Sequence, residues 1–202
     1  MADRSAERIE LPPQDWLGGP LFELTLGRRR SVREFAARDL TRGEIGQLLW
    51  AAQGVTDKSA GFRAAPSAGA LYPLEVYAVI REGVYRYEPK GHALRQRDQR
   101  DVRSDLARAA LGQECVAGAA CVFALAAIAK RTTRKYGERG IRYIHIEAGH
   151  AAQNLLLQAQ ALGLAGVPVG AFDDDAVARV LALAGDEEPL YLIPVGRPVH
   201  AL

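Results

Sequence analysis

With 202 residues, 49% of them hydrophobic and 25% charged, the chain is long enough to enclose a sizeable core as one domain, or at most two. A net charge of only +2 leaves no global field to gather nucleic acid or a membrane surface, so any functional charge has to be local. The two cysteines, Cys115 and Cys121, have neither CxxC nor Cys/His spacing; they read as buried thiols, and a reducing cytoplasm is the expected home. No apolar signal-peptide core follows the polar first ten residues, and the most apolar run, 116–129, is too short and too alanine-rich for a membrane span.

Residues 1–19 read as an N-terminal arm of irregular structure, punctuated by Pro12-Pro13 and Gly18-Gly19, ahead of a single domain over 20–202. Leu21, Phe22, Leu24 and Leu26 predict a short helical stretch that leads into a cluster of arginines. Thr41-Arg42-Gly43-Glu44 has the form of a capping box, and Ile45, Leu48, Leu49 and Ala52 follow at helical spacing until Gly54. Residues 58–63 read as a polar loop. Leu74 to Arg81 alternates and is β-branched, Glu82-Gly83 is a turn, and Val84 to Tyr87 returns, which predicts a hairpin ended by Pro89-Lys90-Gly91. Asp101 to Leu111 reads as an amphipathic helix, and Ala119 to Ala129, apolar throughout, as a central strand buried on both faces. The longest helical pattern runs from Thr132 to Ala161, with Tyr143, Ile144, Ala148, Ala151, Ala152, Leu155 and Leu162 on its apolar side and Gly163 at its end. Small residues in its middle permit another helix to approach closely, within the chain or across a dimer. Val167 to Gly170 is a short strand or loop. Asp173 caps a helix reaching about Ala184, and Leu190 to Val195 forms a last strand. A hairpin, isolated strands and long helices without regular βαβ alternation make the fold class α+β.

Two stretches carry candidate chemistry. Arg28, Arg29, Arg30, Ser31 and Arg33 place four guanidinium groups and a hydroxyl within six positions. Arginine offers a rigid fork of donors that fits phosphate, so the stretch is either an anion cradle or a solvated basic loop. A nucleic-acid patch is disfavoured, because no further basic stretches interleaved with aromatics accompany it. Arg63 to Pro73 (RAAPSAGALYP) is nearly free of side-chain bulk, yet two prolines and Tyr72 stiffen it. Such a run either lets backbone approach a flat ligand or packs tightly under a neighbour. His145-x-Glu147-x-x-His150 is rejected as a zinc motif, because histidines five apart on a helix point about 140° from each other. No GxGxxG after a strand, P-loop or GxSxG is present.

Several segments in order resemble a known family. Arg29-Arg30-Ser31-Val32-Arg33 is similar to the flavin-phosphate motif of the FMN-dependent nitroreductase family. Ala65 to Pro73 is similar to its second flavin loop, in the form of the SagB-type (thiazole/oxazole-forming) dehydrogenase branch. Residues 163–172 (GLAGVPVGAF) and Gly196-Arg197-Pro198 match the third and fourth motifs. Residues 135–140 (KYGERG) and 147–154 (EAGHAAQN) are similar to the same branch. The resemblance implies a nitroreductase-like α+β fold, a central mostly antiparallel sheet flanked by helices, and an intertwined homodimer with FMN at the interface. Carried onto this chain, Arg29, Arg30, Ser31 and Arg33 would hold the FMN phosphate, ribityl chain and pyrimidine edge, with Arg197 a further phosphate ligand. Pro66, Ser67, Ala68, Gly69 and Leu71 would line the ring from the other subunit. Val169, Gly170 and Ala171 would bring backbone N–H groups to the flavin N5 edge. Ordinary nitroreductases tend to carry Asn near Ala70 and an acidic residue near Gly170; their absence here fits the SagB-like branch.

The branch's reaction removes a proton and a hydride from an azoline ring on a peptide, leaving an azole, with FMN taking the hydride and oxygen reoxidising it. Its Lys-Tyr pair falls on Lys135 and Tyr136, the expected catalytic residues, unless they are a surface pair at a helix start. Lysine and tyrosine titrate near pH 10 when free, so a working base needs its neighbours to lower that value. His150 and Gln153-Asn154 read as core or interface polar groups. A bare catalytic core of this size implies a small-molecule substrate, or a peptide presented by a modification-complex partner. Two alternatives stand beside this reading: an NAD(P)H-dependent reductase of nitroaromatics or quinones, and a flavin-binding or scaffold subunit without turnover.

Overall fold

The computed structural model describes residues 7–17 and 19–200. The expected arm and domain therefore extend, at 1–6, Gly18 and 201–202, outside the described residues. One sheet organises the chain. Its strands are β1 (Arg8–Glu10), β4 (Leu74–Ile80), β5 (Gly83–Glu88), β6 (Ala93–Asp98), β7 (Cys121–Ala127), β8 (Ala165–Gly166) and β9 (Glu188–Gly196). A separate short ribbon pairs β2 (Val55–Asp57) with β3 (Phe62–Arg63). The large sheet has the order β1-β6-β5-β4-β7-β9-β8, and its strand pairs are antiparallel. The mixed helix and sheet architecture with a central antiparallel sheet is the fold expected from the sequence.

The pleat explains why the 119–129 stretch is apolar throughout. On β7, Cys121, Phe123, Leu125 and Ala127 join a core with Leu48 and Leu49 of α2 (Arg42–Gln53) and Ala151 and Leu155 of α6 (Arg139–Ala161). Val122, Ala124 and Ala126 face the other way. They meet Leu106 of α3 (Arg103–Ala109), Val116 of α4 (Glu114–Ala117) and Val177 of α7 (Asp174–Val180). A strand between two helical layers leaves no face for water. Phe123 is wholly buried in the first core. Phe123→Ala is expected to cost about 3–5 kcal/mol of stability, read by urea denaturation.

α2 begins where the capping box puts it: the Thr41 hydroxyl accepts from Glu44 N–H, and Glu44 Oε2 accepts from Thr41 N–H at 2.8 Å. Several elements differ from the sequence reading: the expected 58–63 loop ends in β3 of the short ribbon, α4 was not expected, and α7 stops at Val180 and not near Ala184. The expected 132–161 helix is two helices, α5 (Lys130–Tyr136) and α6, broken at Gly137, whose φ of 56° with ψ of −144° no helix accommodates. The 89–91 turn leads into β6, which the sequence reading passed over. The arm is not wholly irregular, since β1 adds to the sheet edge beside β6. Asp15 is held through its backbone by Gln47 of α2, at 2.9 Å in both directions.

Candidate active site

The arginine stretch sits at the β8 edge of the sheet. It leaves α1 (Phe22–Arg28), whose Leu21, Phe22, Leu24 and Leu26 neighbourhood is largely exposed. Ser31 forms a parallel bridge with Gly166, and Val32 N–H donates to Gly166 O at 3.2 Å. Phe35 bridges Pro198, and Ala36 N–H donates to Arg197 O at 2.9 Å. Gly166 is required at this crossing: a Cβ there would lie 2.9 Å from Pro194 O. A Cβ at Gly196 would likewise meet the Phe35 ring at 2.8 Å. Three predicted segments, 29–33, 163–172 and 196–198, are thus stitched together.

Their donors are largely uncommitted. Nine other arginines among the described residues pair with carboxylates, whereas Arg28, Arg29, Arg30 and Arg33 have none within ion-pair reach. Arg30 Nη1 instead donates to the carbonyls of Gly27 and Arg29. Arg197 Nη2 donates to Glu44 Oε1 at 2.5 Å, while its buried Nε has no partner. The Val169 N–H is engaged with Leu192 O at 2.8 Å. Gly170 and Ala171 are exposed, and their N–H groups have no protein acceptor among the described residues.

The second predicted loop lies elsewhere. Pro66, Ser67, Ala68, Gly69 and Leu71 run along α5 and α6, and three residues of the loop are left-handed: Gly69 (φ 62°), Ala70 (φ 52°) and Tyr72 (φ 47°). Two of them are not glycine, so the loop stores strain of the kind that accumulates at functional sites, on the order of 1–3 kcal/mol each. The predicted catalytic pair lies against it. A Cβ at Gly69 would sit 2.8 Å from Tyr136 Oη and 3.0 Å from Lys135 Nζ. Tyr136 packs edge-on against Tyr143 at 5.2 Å.

Strand register separates the two groups. Leu74, which follows the loop, pairs with Ala127, while Cys121 at the other end of β7 pairs with Val195, just before Arg197. Six strand steps put these ends about 20 Å apart. Within one chain the arginine group and the loop do not form a single cradle.

Comparison with known proteins identifies this arrangement. Residues 26–197 match the Nitroreductase family. The chain belongs to the nitroreductase family. A protein of Methanocaldococcus jannaschii, provisionally named a nitroreductase, is 48% identical over 185 residues, covering 89% of this chain and 92% of its own. A crystal structure of a provisionally named nitroreductase from Ralstonia eutropha JMP134 aligns with a TM-score of 0.87 at 30% identity, over 98% of this chain and 93% of that one. The E. coli microcin synthetase McbBCD complex, with truncated pro-MccB17 bound, contains a chain similar at a TM-score of 0.76. It is 25% identical, over 94% of this chain and 77% of that one. Membership of the nitroreductase family makes the chain an oxidoreductase of a flavin-dependent class.

One residue of this nitroreductase-family site escaped the sequence reading as a functional group. Glu147 is 2% exposed and receives a hydrogen bond from Gln53 Nε2 at 3.4 Å. Burial pushes its carboxyl up to about 7, against hydrogen bonding from Ser67 and Gln53 and the Arg63 charge, which favour the ionised form. The sequence signal was its spacing: Glu147 falls three after Ile144 and four before Ala151, on the apolar stripe of α6. His145, His150 and Gln153 are exposed, and Asn154 Nδ2 reaches Ala64 O at 3.4 Å. The raised value has a sign. Between the ordinary glutamate range near 4.5 and about 7, the native chain holds a proton that the unfolded chain has released. This stability contribution is complete below about pH 4.5 and is lost as the pH rises through about 7. Urea midpoints across that range should show the decline in the natural chain and a flatter profile in Glu147→Gln.

Proposed function

We propose that this chain is an FMN-dependent dehydrogenase of the SagB type, which oxidises azoline rings to azoles on peptide-derived substrates. The observation that carries the reading is the Lys135–Tyr136 pair packed on the strained, bulk-free Gly69 loop. The likeness to a chain of a peptide-bound synthetase complex supports it. Uncommitted guanidinium groups beside the orphaned, buried Arg197 Nε are the donor set a phosphate needs, so the residues fit FMN. Arg29, Arg30, Ser31, Arg33 and Arg197 would hold its phosphate, ribityl chain and pyrimidine edge. The Gly170 and Ala171 N–H groups would face its ring, with Val169 shaping the backbone there. Pro66, Ser67, Ala68, Gly69 and Leu71 would cover the ring.

The placement of the two groups by opposite ends of β7 supports a homodimer, in which the loop of one copy meets the arginines of the other. The exposed apolar side chains of Leu21, Phe22, Leu24 and Leu26, beside the arginines, give that second copy a surface to cover. When bound, FMN supplies two-electron redox chemistry. The protein's own part is to orient the ring, to exclude bulk at Gly69, and to receive the azoline proton on Lys135 or Tyr136. A modification-complex partner would present the peptide.

The test has two stages. Heat-released cofactor from the purified protein should co-chromatograph with FMN and not FAD. The FMN-loaded protein should then convert an azoline-bearing peptide to the azole, with a loss of two mass units. A colourless protein that takes up no added FMN would remove the reading. Family membership alone also favours an NAD(P)H-fed reductase of nitroaromatics or quinones. Rapid bleaching of the flavin by NAD(P)H, without azoline oxidation, would select that reading.

A further inference from the structure

The strained loop needs a restraint, and a chain of contacts supplies it. Arg63 N–H donates to Tyr72 Oη at 3.1 Å, and the Arg63 guanidinium lies over the Tyr72 ring, 4.4 Å from its centre. Arg63 Nη1 donates to Gln53 Oε1 at 3.0 Å, and Gln53 Nε2 donates to Glu147 Oε1. Ser67 faces Glu147, and its Oγ accepts from Tyr72 N–H at 2.9 Å. The chain of contacts runs from Glu147 to Tyr72. Glu147 is its anionic member, fixed to a long helix, and it joins α2, β3 and the loop at one buried point. Arg131 holds the loop separately, donating to Tyr72 O at 3.0 Å.

We infer that Glu147 is the positioning residue of the Ser67–Tyr72 loop: through Gln53 and Arg63 it fixes Tyr72, and so holds the Gly69 backbone against Lys135 and Tyr136. It touches no reacting atom itself. Its effect on the site rests on the function proposed above, but its effect on the loop does not. The groups facing Glu147 from the surrounding elements are Gln53 on α2, Arg63 on β3 and Ser67 on the loop, with Arg63 the charged one. An ionised Glu147 therefore holds Gln53 more strongly than a protonated one. The loop is expected to tighten as the pH rises through neutrality. The same rise lowers global stability, so local order and global stability move in opposite directions.

The decisive experiment is amide hydrogen exchange on the flavin-free chain at about pH 8, resolved to the peptide spanning Ala64 to Pro73. Glu147→Ala should speed exchange at Leu71 and Tyr72 by about tenfold or more, with the amides of α6 unchanged. Glu147→Gln, which keeps an acceptor, should speed it less. Gln53→Ala should match Glu147→Ala, and the double variant should add nothing, because both cut the one path from Glu147 to Arg63 and Tyr72. Unchanged loop exchange in Glu147→Ala overturns the inference, as does an equal rise through α6, which would mark mere loosening of the helix. Should Glu147→Ala fail to fold, unchanged loop exchange in Gln53→Ala overturns it instead. A second readout is FMN affinity against pH. Beyond the step that the FMN phosphate's own ionisation gives in every variant, the natural chain should show a further change near pH 7 that Glu147→Gln lacks, and a profile identical in Glu147→Gln overturns the inference. A chain that binds no FMN at any pH refutes the proposed function, while the exchange data still decide the role of Glu147.

Discussion

Replacing Arg29 and Arg197 together with alanine is expected to weaken FMN binding by about two to four orders of magnitude. A hydrogen bond to a charged group contributes about 1.5–3 kcal/mol, and about 1.4 kcal/mol is tenfold in affinity. Two independent contacts therefore give about 3–6 kcal/mol. The two side chains come from distant parts of the sequence. Arg29 ends α1, and Arg197 follows β9, joined to the first stretch by the Ala36–Arg197 hydrogen bond. Their starting states differ. Arg29 has no carboxylate partner among the described residues, whereas Arg197 already donates one Nη to Glu44, which also caps α2. Arg197→Ala should therefore also cost some stability at the start of α2, and Arg29→Ala should not. Fluorescence titration of the flavin-free chain with FMN reads the affinities. Arg100→Ala, whose guanidinium pairs with Asp98 at an exposed site, is the control and should change them less than twofold. Unchanged affinity in the double variant would return the arginine group to an unexplained basic loop.

The parts of this arrangement that were legible in the sequence are those whose signal is local. Thr41 and Glu44 mark the start of α2 because a capping box is completed within four residues. The 121–127 strand was legible because both its faces are buried, so neither face interrupts the apolar run. β6 was not legible, for the opposite reason. Only Ala93 and Leu94 are buried, and Arg95, Gln96, Arg97 and Asp98 turn partly or wholly to water. Two apolar residues cannot state a period. The break at Gly137 was hidden because an isolated glycine inside a helical pattern is tolerated, and only the fold selects its positive φ. The site divides in the same way. Motif order carried the arginines and the loop. The role of Glu147 depends on Gln53, Arg63 and Ser67, which reach it only after the chain has folded.

That the loop and the arginines lie at opposite ends of β7 also bears on how the protein can be tested. In the proposed dimer, a variant that separates the two copies would abolish flavin binding and turnover together, and so would not locate the chemistry. Substitutions at Lys135 and Tyr136 separate the two, because both residues lie against the loop and belong to no part of the arginine group.

Lys135→Met combined with Tyr136→Phe is accordingly expected to slow azoline oxidation by about 10²–10⁴-fold, the usual contribution of a positioned proton acceptor. FMN affinity should stay within about twofold. Both replacements preserve most of the packing volume. Phenylalanine keeps the edge-on contact with Tyr143, and methionine keeps the apolar stem of the exposed Lys135. A loss of rate would therefore not reflect collapse of the Gly69 loop, and unchanged exchange at Ala64 to Pro73 would show that directly. Reduction of the bound flavin by dithionite, which asks nothing of a proton acceptor on the protein, should proceed as in the natural chain. The two functional readings diverge here. An azoline dehydrogenase needs a group to take the ring proton, so it fails in the double variant. A reductase fed by NAD(P)H receives hydride directly and would keep its rate. If azoline oxidation survives the double replacement within about threefold, Lys135 and Tyr136 are not the proton acceptors, and the chemistry must lie with another group at the loop.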